Sequence, residues 1–141
     1  MATGTVTWTY DEGTDGLAQH CNVTKIIFSW TATAGGAAAD TSRKIVGKLL
    51  KAVVVPGSPT PTNAYSIVIT DGNGVNVLGK SKATLASNTT STAETYFFIT
   101  DTSGTPVTQS FNPVVCDQLT ITIASAGNAA QGQVILYYAT M

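Results

Sequence analysis

The side chains that could do chemistry in this chain are few and scattered. Histidine occurs once, as His20, directly before Cys21, and the second cysteine is Cys116. A metal site built from several histidines of one chain is therefore excluded, and His20-Cys21 has no further soft ligands nearby. A Cys/His nucleophile pair needs a separation of about 3 Å and a third group to orient the base. Neighbours in an extended segment point to opposite sides, so Cys21 and His20 are badly placed for it. Spacing leaves only Cys116 with His20 open. Two carboxylate clusters suggest a hard cation, Asp11-Glu12-Gly-Thr-Asp15 and Asp71-Gly-Asn-Gly74. Neither has the regular alternation of an EF-hand loop, and both read as turns. There is no Gly-rich phosphate loop with a lysine, and the acids sit in turn segments rather than in a pair across a cleft. The expectation is a protein that is not an enzyme, with no catalytic residue, cofactor or metal.

What is unusual is the coat. The chain has 24 threonines and only 15 charged side chains, 11% of 141 residues, against about 25% in an ordinary soluble domain. Threonine is stiff at χ1 and suits a pleated, half-buried surface. A coat of Thr, Ser, Asn and Gly is polar but nearly uncharged, so it is easily desolvated against a partner.

Charge is also unevenly placed. Residues 1–40 balance at −3, residues 41–82 at +5 and residues 83–141 at −3. The basic stretch holds Arg43, Lys44, Lys48, Lys51, Lys80 and Lys82, the candidate contacts to an acidic partner. The basic stretch has no interleaved aromatic platform and the pI is about 5.6, so nucleic acid is not the expected partner.

The first residues lack the basic and apolar regions of a signal peptide, and no apolar run is long enough to span a bilayer. The expectation is a soluble protein made in the cytosol, with no membrane partner. In that setting Cys21 and Cys116 are expected as buried, reduced thiols.

These residues are carried on segments with a period of two. Val6, Trp8 and Tyr10 alternate with threonines, and Ile26, Phe28 and Trp30 repeat the pattern. That phase predicts both tryptophans buried. Residues 44–55 form a long strand whose alternation breaks at Leu49-Leu50, where a bulge or bend is expected. Pro56 to Pro61 ends it. Tyr65–Ile69 and Val75–Leu78 flank the Asp-Gly-Asn-Gly turn as a hairpin. Further strands are expected at Glu94–Thr100, Pro106–Phe111, Val115–Ala124 and Gln133–Ala139. The last is apolar on both faces and so central. Residues 80–93 read as a long connection or ragged edge strand, with a weaker helical pattern over Ala83–Ala93. Eight or nine strands at short intervals, with no repeat and no linker, predict one all-β antiparallel jelly-roll sandwich domain over 1–141. Residues 1–20 are a candidate extended arm.

Three stretches together resemble virion proteins of tailed phages. They are Lys44-Ile-Val-Gly-Lys-Leu-Leu-Lys-Ala-Val-Val-Val-Pro-Gly57, Tyr65-Ser-Ile-Val-Ile-Thr-Asp-Gly-Asn-Gly-Val-Asn-Val-Leu78, and the closing pair Cys116–Ala124 with Gln133–Tyr138. More narrowly the chain is similar to the jelly-roll cement, or head decoration, proteins of phages with an HK97-like shell. The resemblance lies in texture and strand order over nearly the whole chain, and no site motif carries residues across. It implies a jelly roll that self-associates as a dimer or trimer on the capsid exterior of the virion. There it would bind the major capsid protein and bridge neighbouring capsomers. Other virion subunits (tail, neck or fibre-associated) share this texture. A carbohydrate-binding module is a further reading from fold analogy, and it needs an exposed tryptophan.

Overall fold

A computed structural model describes residues 4–11, 23–63, 65–77, 85, 89–97 and 112–140. Seven antiparallel strands account for nearly all regular structure there: β1 (Thr5–Asp11), β2 (Val23–Thr31), β3 (Ala38–Pro56), β4 (Ser66–Thr70), β5 (Ala93–Tyr96), β6 (Val114–Ala124) and β7 (Gln131–Thr140). They form one open sheet ordered β1-β2-β7-β3-β6-β4, with β5 on β3. No helix occurs among the described residues. The expected strand at 106–111 lies outside them. The expected return strand after Asp71-Gly-Asn-Gly74 is reduced, as far as it is described, to an isolated bridge between Thr70 and Asn76.

The long strand β3 organises the molecule. Its first half, from Ala38 to Lys48, pairs with β6, and its second half, from Gly47 to Pro56, pairs with β7. The register against β7 slips between Leu49 and Lys51, so Leu50 is the extra residue of a bulge. The broken alternation in the sequence marks this spot. β5 continues along the edge that β6 leaves, pairing Lys51–Val54. Gly47 sits at the handover, where a Cβ would meet the Ala139 carbonyl oxygen, so only glycine lets β7 come this close.

A second slip falls between Thr41 and Lys44 against β6. Ser42 is buried there, its Oγ accepting the Leu119 N–H at 3.0 Å and donating to the Arg43 carbonyl at 2.7 Å. The hydroxyl thus stands in for a missing ladder partner, which keeps a buried amide satisfied.

One face of the sheet turns inward all along its length. Ile26, Phe28 and Trp30 of β2, Ile45, Leu49, Ala52 and Val54 of β3, Ile67 and Ile69 of β4, Leu119, Ile121 and Ile123 of β6 and Val134 and Leu136 of β7 form one core cluster. At about 1.5–3 kcal/mol for each fully buried large aliphatic or aromatic side chain, this burial is the main stabilising term. Because the sheet curls, β1 reaches back to the first half of β3. Trp8 Nε1 donates to Asp40 Oδ2 at 3.1 Å, and the Arg43 N–H donates to the Tyr10 hydroxyl at 3.0 Å. The predicted central place of β7 holds, between β2 and β3.

Burial of the tryptophans follows their phase. Trp30 is 2% exposed, and Trp8 is half-buried with its ring 3.5 Å from that of Phe28. Cys116 corrects the expectation of a buried thiol. It is exposed and free, because β6 buries Val115 and Leu119 and turns Cys116 outward. Cys21 lies outside the described residues.

Candidate interaction surface

The outward face of β3 carries the basic residues into a pattern that the linear spacing hides. Before the bulge, Ile45, Gly47 and Leu49 point inward while Lys44, Val46 and Lys48 point outward. After the bulge Lys51 pairs with Tyr137 and Ala52 with the buried Leu136. The extra residue therefore returns Lys51 to the same face as Lys48, although three positions separate them. Lys44, Lys48 and Lys51 form one ribbon.

Apolar side chains flank it. Across the β3–β6 ladder Lys44 faces Gln118, Val46 faces Cys116 and Lys48 faces Val114. Val46 is 45% exposed and Val114 60%. Three of these four outward positions beside the lysines are apolar or thiol. A second row crosses the strands, with Lys25 opposite Tyr137, Tyr137 opposite Lys51, and Lys51 opposite Tyr96. The Lys51 ammonium lies 5.2 Å from the Tyr137 ring centre, and Tyr96 is 59% exposed. Along the chain no aromatic stands next to these lysines; the sheet register sets Tyr137 and Tyr96 beside Lys51. Exposed tyrosine is enriched in interfaces while lysine is depleted from their cores, so the tyrosines and valines would form the footing and the lysines its rim.

The six basic residues are not equivalent. Lys51 is paired with Glu94, Nζ to Oε1 at 3.2 Å, and Glu94 also accepts the Tyr96 hydroxyl at 3.2 Å. That hydrogen bond and charge hold the Lys51 ammonium above its ordinary 10.5. Arg43 stacks 3.8 Å over the Tyr10 ring and so fastens β1 to β3, away from the ribbon. Among the described residues no carboxylate lies within ion-pair range of Lys44 or Lys48, which are the two exposed cations the ribbon can offer a partner. Lys80 and Lys82 lie outside the described residues. Val46, Val114, Cys116, Tyr96 and Tyr137 were not legible as a group, although the alternation at 44, 46 and 48 and at 114, 116 and 118 was a signal for part of it.

Elsewhere the candidates for chemistry dissolve into turn structure. Asp71 Oδ1 accepts the N–H groups of Asn73 and Val75, each at 2.9 Å, and Asp117 Oδ2 accepts that of Gly72 at 3.1 Å. Gly74 takes a φ of +76°, the left-handed conformation such turns require. Both carboxylates are thus engaged by backbone donors. No group of His, Cys, Asp and Glu suited to a metal occurs among the described residues. Glu12, Asp15 and His20 lie outside them. No described helix is long and apolar enough to cross a membrane.

A second outward region, on β1, β2, β7 and the end of β3, differs in kind. A shallow cavity of about 420 Å³ is lined there by Thr5, Thr7, Ser29, Thr31, Gln131 and Gln133, with the buried Trp30 also reaching it. Gln133 Nε2 donates to Ser29 Oγ at 3.2 Å. Hydroxyls and amides without a titratable group can hydrogen-bond a neighbour but give no acid, base or nucleophile. Protein-family models, curated proteins and solved structures were all compared with the chain, and none matches.

Proposed function

We propose that this chain is a structural virion protein that binds the outside of an HK97-like capsid and bridges neighbouring capsomers. The observation that carries the reading is the ribbon of Lys44, Val46 and Lys48 beside Val114 and Cys116 on an otherwise almost uncharged protein. A partner with acidic side chains and a small apolar footing would fit it, and the major capsid protein is the proposed partner. Many weakly held copies on one shell gain from avidity. In this reading the sheet, bent at Leu50 with β1 folded back on β3, is the jelly-roll-type sandwich. The resemblance to decoration proteins supports the same assignment. The carbohydrate-module reading has less to work with, since Trp30 is buried and Trp8 is packed against Phe28.

The decisive experiment is K44E/K48E on purified heads. These positions are preferred to Lys51, whose charge Glu94 already balances. Occupancy is expected to fall steeply, and wild-type occupancy to fall with rising salt. Occupancy unchanged by both would overturn electrostatic docking, as would preferential binding of the ribbon to single-stranded nucleic acid. Copy number separates the shell from other virion sites: on the order of hundreds per particle is expected here, and roughly six or twelve would mean a tail or neck subunit.

A further inference from the structure

The lateral ends of the sheet are treated differently. The outer side of β4 is covered, since Val77 N–H donates to the Ile69 carbonyl at 3.0 Å and Leu85 N–H to that of Ile67 at 2.8 Å. The edge of β3 that faces β1 is met by the Tyr10 hydroxyl. Among the described residues β1 itself makes backbone bonds to β2 alone. An open strand edge is a template for another chain, and monomeric proteins blunt it with lysine, proline, a bulge or a very short strand. β1 has no lysine, proline or bulge: its one charge is Asp11 at the last position, and the β1–β2 register runs unbroken from Thr5 to Asp11.

We infer that β1 is a self-association edge that pairs antiparallel with β1 of a second copy across a two-fold axis at Thr7. The residues are self-complementary in that register. Thr5 of one copy faces Thr9 of the other, Thr7 faces Thr7, and Val6 faces Trp8. The hydroxyls of Thr5, Thr7 and Thr9 then meet hydroxyls on the outer face and Val6 meets Trp8 on the inner face, while Tyr10 comes opposite Gly4. Cross-strand Thr–Thr and aromatic–β-branched pairs are the favourable combinations. The uncharged lining of Thr5, Thr7, Ser29 and Thr31 beside this edge offers no repulsion between copies. The lysine ribbon would oppose a copy meeting itself, and pairing through β1 leaves both ribbons free. The inference takes up the self-association that the resemblance implies, gives it an edge and a register, and does not depend on what the ribbon binds.

Sedimentation equilibrium of the purified full chain is expected to show a concentration-dependent dimer. T5K/T9K sets like charges opposite each other twice in this register and should weaken the dimer about tenfold. Mixing it with T5E/T9E should restore association, and T122K, the same charge on exposed β6, should leave it unchanged. In a C21S/C116S background T7C should form a disulfide dimer under mild oxidation, since that position meets its own copy on the axis. A chain that stays monomeric at every concentration overturns the inference. So does a dimer indifferent to T5K/T9K in which T7C does not cross-link. No capsid enters these measurements: a β1 dimer that fails to bind heads would refute docking alone, and a monomer that binds heads would refute the edge alone.

Discussion

The ribbon on β3 and β6 and the hydroxyl face around β1 are both outward surfaces of one sheet, yet they are opposite solutions to meeting a neighbour. The ribbon concentrates Lys44 and Lys48 around exposed valines, so on the proposed function it would select an acidic partner and repel its own kind. From Thr5 to Tyr10 β1 carries no charge and, among the described residues, its outer edge is open, so it could meet a second copy without a desolvated ion to satisfy. On the proposed function and the inferred β1 edge, separating the two would let the protein bind a capsid and a second copy at once. The supports differ as well. The ribbon lies where β3 pairs with β6 and, from Gly47 on, with β7 as well, whereas among the described residues β1 ladders with β2 alone and has a few side-chain ties to β3.

That contrast predicts where the molecule gives way first. Phe28→Ala should cost the most, about 3–5 kcal/mol, because it removes the ring on which Trp8 rests. Hydrogen exchange should then show protection lost over 5–10 before 44–48; simultaneous loss would mean that the two regions are one cooperative unit. Ser42→Ala should cost about 1–3 kcal/mol by denaturant unfolding, since it orphans the buried Leu119 N–H. It acts on the ribbon side, and protection at 117–120 should fall while β1 is spared.

The smallest effect comes with alkali. Burial raises the Tyr65 phenol above its ordinary 10.0, and Glu94 raises Lys51 above 10.5. In both, the folded state keeps a proton that the unfolded chain gives up first. Their contribution is full below about pH 10 and is lost as pH rises through the folded values. Lys51 lies in solvent and contributes little, so Tyr65→Phe should flatten most of the alkaline fall in thermal stability. A fall that Tyr65→Phe leaves unaltered would place the linkage elsewhere.

Much of the scaffold was legible in the residues. Alternation located β1, β2, β6 and β7, the apolar run at Gln133–Ala139 marked the central strand, and the doubled leucine marked the bulge, because a period of two admits no silent insertion. The start of β3 at Ala38 was not: Ala39, Asp40 and Thr41 are all exposed, so that end carries no alternating signal. The candidate surface was half legible. Its lysines stand out in the composition, but Val46, Cys116 and Val114 become neighbours only through a ladder between residues about seventy apart, and Tyr137 joins Lys51 only through the register with β7.

The amino-acid sequence by itself determined an all-β chain, its inward phase and its sparse, unevenly placed charge, because each follows from local stereochemistry and composition. Which cation is balanced, the exposure of Cys116 and, among the described residues, which strand edge is left open were decided only in three dimensions. Those properties depend on strand partners, and partner choice is made by a core that gathers residues from the whole chain.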